Sequence, residues 1–419
     1  MKRHSSLRHW PLATSHWPLF FLFATIGYAA PPAILPEAVP VDGAPFKARL
    51  IGVDADWGLT IEGAIASSTP KRMAAVDLCW WGRFVEPRGQ TQVLLIDGTL
   101  IAADVADMNK ERALLDWNSG GTVKLPLEIV SGIVFHPPAD PQSADALLAK
   151  LPTAGGDADR LLLVNGDAVG GELLSLADDT VHIRTAAGEL KVRTDKIAAV
   201  AMNSALAAKP HLASARAWLG LADGSRLLVS SLVLDGAKAQ VTLAAGPQIT
   251  LSADDPSAMQ PLGGRTVYLS DLKPASYQYI PLLNLTWPYH ADRNVLGTQL
   301  RAAGRLYVKG LGMHSASRLT YLLEKPYRAF AAETAIDDQT AGHGSVVFRV
   351  YTDDGSGKWQ LKYDGPTVRA GAAPLPISVD LTGAKRLSLL VDFADQGDVQ
   401  GHADWLNARL LTAAVGAIK

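Results

Sequence analysis

Val308-Lys-Gly-Leu-Gly-Met-His-Ser315, Ala335-Ile-Asp-Asp338 and Gly401-His-Ala-Asp-Trp405 decide how this chain is read. Each polar cluster sits beside an apolar, strand-like run, so histidine, aspartate and tryptophan are set at the ends of extended segments. Working outward, strand patterns run over 266–269, 305–309, 317–323, 329–334, 345–352, 359–363, 375–380, 386–393 and 404–411. Short strands at such regular spacing in about 150 residues predict a β-sandwich or jelly roll. Phe348-Arg-Val-Tyr351 and Leu387-Ser-Leu-Leu-Val391 read as its inner strands.

The order of motifs resembles a known family. Tyr307 to Ser317, Tyr321-Leu, Phe330, Ile336-Asp-Asp338, Gly344-Ser-Val-Val-Phe348-Arg-Val, Val379-Asp-Leu-Thr-Gly383-Ala and His402-Ala-Asp-Trp405 together resemble the NPCBM/NEW2 domain. The resemblance covers residues 267 to 411. It implies a galactose-binding-like β-sandwich akin to the family 51 carbohydrate-binding modules, often attached to glycoside hydrolases. Two positions depart from the family pattern. Gly401 stands where the family has Asp before His-Ala-Asp-Trp, and Ala335 where it has Gly before the Asp-Asp turn. The hairpin at Asp353-Asp-Gly-Ser-Gly-Lys358 is also longer than usual.

Upstream, apolar runs are punctuated by Asp97-Gly98, Asn165-Gly166, Asp223-Gly224 and Asp235-Gly236. These pairs tolerate positive φ and mark hairpin turns. Segments opening at Val93 and Leu162 close on Val130, Ile133, Phe135 and on Ile197, Val200, Met202, with matching internal spacing and period-two alternation between. The chain therefore reads as all-β: tandem small antiparallel barrel-like repeats, similar to SH3-like or Sm-like units, at 46–90, 91–138, 159–203 and 215–262, followed by the sandwich at 263–412. An Ala/Leu-rich stretch, Ala144 to Leu151, reads as helical. Residues 30–45, rich in proline, read as a tether, because proline neither joins a sheet interior nor continues a helix.

Residues 1–29 have a basic start (Lys2, Arg3), an apolar core and small residues at Gly27-Tyr28-Ala29, which predicts a cleaved secretory signal and a secreted or periplasmic, cell-envelope location. The apolar run is shorter than the roughly 20 residues needed to span a bilayer, so no membrane span is expected after cleavage. Lys+Arg 39 against Asp+Glu 41 leaves nucleic acid without electrostatic support as a partner. Cys79, the single cysteine, excludes an internal disulfide and reads as a small buried hydrophobe.

Sugars are held by aromatic faces against their C–H surfaces and by polar side chains on their hydroxyls. Trp287, Tyr289, Arg293, His314, Asp337, Asp338, His402 and Asp404 supply both sets and form the expected carbohydrate site. Competing structural roles exist for several. Ile336-Asp-Asp338 can cap backbone N–H groups in a turn. His314 can bond Asp404 or Asp338 inside the fold, and Trp405 can be core. Asp395 and Asp398 offer oxygen ligands for a structural calcium ion. No cofactor is expected otherwise, and no nucleophile elbow, phosphate loop or zinc-spaced ligand set is present. The function expected is non-catalytic binding of a galactose-like glycan or polysaccharide. The alternatives are an envelope scaffold that binds other envelope proteins through its repeats and has lost the sugar site, or a glycoside hydrolase or its accessory subunit.

Overall fold

A computed structural model describes residues 35–63, 69–87, 89–209, 215–280 and 285–413. The expected signal segment, 1–29, lies outside the described residues. Those residues belong to one compact unit running from Leu35, and they are almost entirely strand.

Four repeats share one plan: a first strand, a tight turn, a long second strand, a hairpin, then a closing strand that returns to the first. In the second repeat Val130–Val134 closes on Gln92–Leu95. In the third Ile197–Ala201 closes on Asp159–Leu163, and in the fourth Pro256–Leu262 closes on Arg216–Leu221. The Asx-Gly pairs sit at the turns as expected. Gly98 and Gly224 take φ of 88° and 90°, and the Asp97 and Asp223 carboxylates accept from Thr99 N and Ser225 N.

The first repeat corrects two expectations. Its first strand is Glu37–Pro40, inside the stretch read as a tether, pairing with both Phe46–Val53 and the closing strand Leu78–Gly82. Proline is tolerated because Pro36 contributes only its carbonyl, to Ala48 N, and Pro40 falls at a register shift. The repeat therefore begins at 37, not 46. Asp42-Gly43, with Gly43 at φ 97°, is the turn signal that marks it.

Closing strands also join repeats in pairs. Gly132 faces Ala201 between the second and third, and Met259 faces Trp81 between the fourth and first. A single apolar core, including Trp81, Trp117, Ile133, Val200 and Leu219, runs through all four. The helix α1 (Pro141–Ala154) is longer than the sequence pattern suggested. Asp140 caps it by accepting from Ser143 N, and Pro141 occupies its first turn, where no N–H is needed.

The last domain is a two-sheet sandwich. One sheet runs His290–Ala291, Gly310–His314, His402–Leu411, Ala329–Ile336, Leu375–Asp380, with Thr266–Tyr268 also on His402–Leu411. The other runs Ser276–Tyr279, Ser317–Leu322, Arg386–Phe393, Ser345–Asp353, Gln360–Arg369. Trp405 is core: it is fully buried, with Phe348 edge-on at 4.9 Å. Gly310–His314, part of the polar cluster at 308–315, is itself a strand although two of its five residues are glycines. The structure explains Gly312: a Cβ there would lie 2.3 Å from the Asn294 carbonyl carbon, so only glycine lets the 292–299 turn press against the strand.

Sandwich and repeats are packed together. Cys79, Trp80 and Val41 meet Ala331 and Leu411, with the Arg409 guanidinium 4.9 Å from the Trp80 ring centre. Cys79 is buried, as its neighbours predicted. Arg301, at the sandwich edge, reaches Glu86 of the repeats at 2.6 Å and Asp145 of α1 at 2.5 Å.

Candidate functional site

Two adjacent strands of one sheet bring His314 and His402 opposite each other in register. Their rings are 5.5 Å apart. Trp287 lies flat on His314, 4.7 Å between ring centres and 4° between planes, and 5.6 Å from His402. Tyr279, on the neighbouring strand of the other sheet, stands edge-on to His314 at 6.2 Å. Tyr277 fixes this geometry: its hydroxyl donates to the Trp287 carbonyl at 2.7 Å and its ring packs on Tyr289 at 5.2 Å. The four rings gather at one end of the sandwich, with Trp287, Tyr279 and His402 each half-buried.

One carboxylate joins them. Asp398 accepts from Ser315 Oγ at 2.9 Å and lies 3.3 Å from His314 Nδ1. The sequence suggested Asp404 or Asp338 as the imidazole's internal partner, but the fold supplies Asp398. Gly401 is tied to the same arrangement. A Cβ at 401 would fall 2.2 Å from Ser315 Oγ, so the serine that holds Asp398 occupies the space a side chain at 401 would need.

Burial lowers the pKa of His314 despite Asp398 beside it, and burial together with His314 lowers His402 to about 4. Both imidazoles are therefore neutral at pH 7. Half-buried His402 can offer one N–H donor and one lone-pair acceptor, a combination suited to a hydroxyl that must donate and accept at once. His314, 2% exposed with its Nδ1 turned to Asp398, serves as the ring beneath Trp287.

The remaining expected residues lie apart from this cluster. Asp338 accepts from Ala303 N and Gly304 N, pinning the Leu300–Ala302/Arg305–Tyr307 hairpin. Asp337 is buried and accepts from Arg301 N and Gln339 N. Asp404 is fully enclosed. Burial and the Asp337 and Asp338 carboxylates push its pKa well up. Asp337 and Asp338 serve the turn after Ala329–Ile336, the alternative weighed for Ile336-Asp-Asp338, and Asp404 has no surface from which to touch a sugar. Tyr289 buttresses Tyr277, and Arg293 lies at the boundary with the repeats. Trp359 is sandwiched by Arg318 and Arg386 on the second sheet.

The residue types expected for calcium do not gather. Asp395 pairs with Arg369 and Asp398 with Ser315 and His314. Among the described residues no three His, Cys, Asp or Glu side chains are placed to hold a metal ion. Nor is any helix among them long and apolar enough to cross a membrane.

Tyr279, Tyr277 and Ser315 were missed by the sequence reading. The alternation in Ser276-Tyr-Gln-Tyr279, two tyrosines on one strand face, was the available signal.

The family model described as NPCBM/NEW2 domain matches residues 265–411. These residues are an NPCBM/NEW2 domain. The assignment makes this part of the chain a carbohydrate-binding module by family, and the aromatic cluster lies within it. A protein of Renibacterium salmoninarum named "Putative endo-alpha-N-acetylgalactosaminidase" is 36% identical over 118 residues, which is 28% of this chain but 8% of that protein. Among solved structures, CBM51-2 with the INT domains of Clostridium perfringens ZmpB, in complex with GlcNAc, is 27% identical, covering 44% of this chain and 38% of that one, with a TM-score of 0.31. CBM51 from Clostridium perfringens GH95, in complex with methyl-galactose, is 25% identical, covering 35% of this chain and 99% of that one, with a TM-score of 0.30. The four repeats lie outside the NPCBM/NEW2 match.

Proposed function

We propose that the chain is an exported, non-catalytic glycan-binding protein whose NPCBM/NEW2 domain holds a galactose-like sugar at the Trp287, His314, His402 and Tyr279 cluster. The observation that carries this reading is the gathering of four aromatic rings, two of them neutral imidazoles, at one end of a sandwich of a carbohydrate-binding family.

Galactose suits such a cluster because its axial O4 leaves the C–H groups of C3, C4 and C5 together on one face. An indole can cover that face while neutral His402 and Asp398 exchange hydrogen bonds with the hydroxyls at its edge. Glycoside hydrolysis needs two carboxyl groups flanking the scissile bond. The cluster offers Asp398, already engaged by Ser315 and His314. Asp337 and Asp404 are buried against each other, away from it.

A single shallow module of this kind binds with about 4 to 8 kcal/mol, millimolar to micromolar. Retention on a polysaccharide then depends on several copies acting together. The test is a glycan array probed with the full exported chain. Galactose-terminated glycans retained by the wild type and lost in Trp287→Ala support the reading. Retention of no glycan by well-folded protein would leave the envelope-scaffold role, with the repeats as its contact surface.

A further inference from the structure

A second site lies where α1, the second and fourth repeats and the 291–299 segment meet. A cavity of about 510 Å³ opens there. It falls inside the range of about 300–1,000 Å³ typical of small-molecule sites. One wall is apolar, with Leu94, Ile96, Leu148 and the half-buried ring of Trp218; the other carries the guanidinium groups of Arg226 and Arg293.

Among the described residues neither arginine has a carboxylate partner. Arg226 is 7% exposed, and its Nη1 is buried with no hydrogen-bond partner among the described residues. The carboxylates nearest to serving it are Glu86 and Asp145, and Arg301 takes both, through Nε and Nη2 on Glu86 and Nη1 and Nη2 on Asp145. Asp292 also borders the cavity, but its carboxylate accepts from Lys309 Nζ at 2.6 Å and Gly310 N at 3.1 Å. Arg293 donates to the Asp292 carbonyl at 2.9 Å. With the Gln299 amide oriented to match donors with acceptors, it also donates to Gln299 Oε1 at 2.6 Å.

A buried guanidinium with an open donor is costly unless something accepts from it. Burial, outweighing the pull of Glu86 and Asp145, lowers Arg226 to about 10, the direction expected of a cation short of counter-charge. A planar carboxylate is the acceptor whose geometry fits the guanidinium fork. Trp218 adds a flat face on which a pyranose ring can rest.

We propose that this cavity binds a carboxylate-bearing monosaccharide, a hexuronate or the uronate end of an acidic glycan, with its carboxylate on Arg226 and Arg293 and its ring against Trp218. The site shares no residue with the Trp287 cluster, so the chain would hold an acidic sugar and a neutral one independently.

The test is calorimetric titration of the full exported chain with galacturonate, glucuronate, galactose and acetate. Uronates are expected to bind at least tenfold more tightly than galactose or acetate at this site. Arg226→Gln should weaken uronate binding at least tenfold while Trp287→Ala leaves it unchanged. Should Arg226→Gln fail to fold, Leu148→Trp, which fills the cavity from its apolar wall, decides: loss of uronate binding in the folded protein supports the site. Absence of uronate binding, acetate binding as tightly as uronate, or uronate binding unaltered in Leu148→Trp would each overturn the proposal.

Discussion

Replacing Arg301 with methionine removes a side chain that ties the sandwich to both the repeats and α1. The wild-type guanidinium makes two forks, to Asp145 at 2.5 and 3.2 Å and to Glu86 at 2.6 and 3.3 Å. The partners differ in how they would bear its loss. The Glu86 side chain is 40% exposed and rehydrates, so that fork contributes about 0–1 kcal/mol. The Asp145 side chain is 8% exposed and would keep only the Gln299 N–H, at 2.9 Å. Leaving such a carboxylate unpaired costs about 3–5 kcal/mol. Arg226 and Arg293, on the same cavity, would offset part of that, which places Arg301→Met near about 3 kcal/mol. Urea denaturation followed by tryptophan fluorescence reads the loss directly. The double variant Arg301→Met/Asp145→Leu should recover most of it, since an apolar pair of similar volume is often as stable as a buried ion pair. A loss below about 1 kcal/mol in the single variant, or no recovery in the double, would refute the reasoning.

Three further outcomes follow from the same geometry. His402 titrates near 4 when folded and 6.5 when unfolded, so the unfolded chain takes up the proton first as pH falls. Its share of stability is complete above about pH 6.5 and is lost toward pH 4, and the melting profile of His402→Gln should be flatter across that window. Asp404 has the opposite sign: its folded pKa is raised, so the unfolded chain releases the proton first above pH 3.8. Asp404→Asn, a neutral side chain of the same shape, should melt higher than wild type at pH 7 and no higher below the ordinary aspartate range. Gly401→Ala puts a methyl 2.2 Å from Ser315 Oγ. It should cost about 1–3 kcal/mol by overpacking, and Ser315→Gly in the same chain should relieve it, as thermal melts of the two variants would show.

The contrast between what the sequence disclosed and what it hid is physical. All nine strand patterns of the last domain became strands, because alternation records which face is buried. Gly310–His314 escaped because Gly312 answers to a neighbouring turn and Gly310 to Leu300 and the Trp405 carbonyl, not to a local pattern. Glu37–Pro40 escaped because proline argues against a strand while the ladder needed little from it. At the candidate site Trp287, His314 and His402 lie together without Asp404, and Asp398 stands beside His314. The acidic residues of the Asp-Asp turn read more readily as backbone caps than as ligands, and their N–H partners show the caps. Arg226, Asp145 and Arg301 lie far apart along the chain and belong to elements whose docking no local pattern encodes.

The central claim is tested most directly by calorimetric titration of the wild type and Trp287→Ala with methyl galactoside, with methyl glucoside as the comparison sugar. The account predicts binding of galactoside by the wild type between about 1 mM and 1 μM, weaker binding of glucoside, and at least a tenfold loss in Trp287→Ala. Equal galactoside affinity in wild type and folded Trp287→Ala would contradict it.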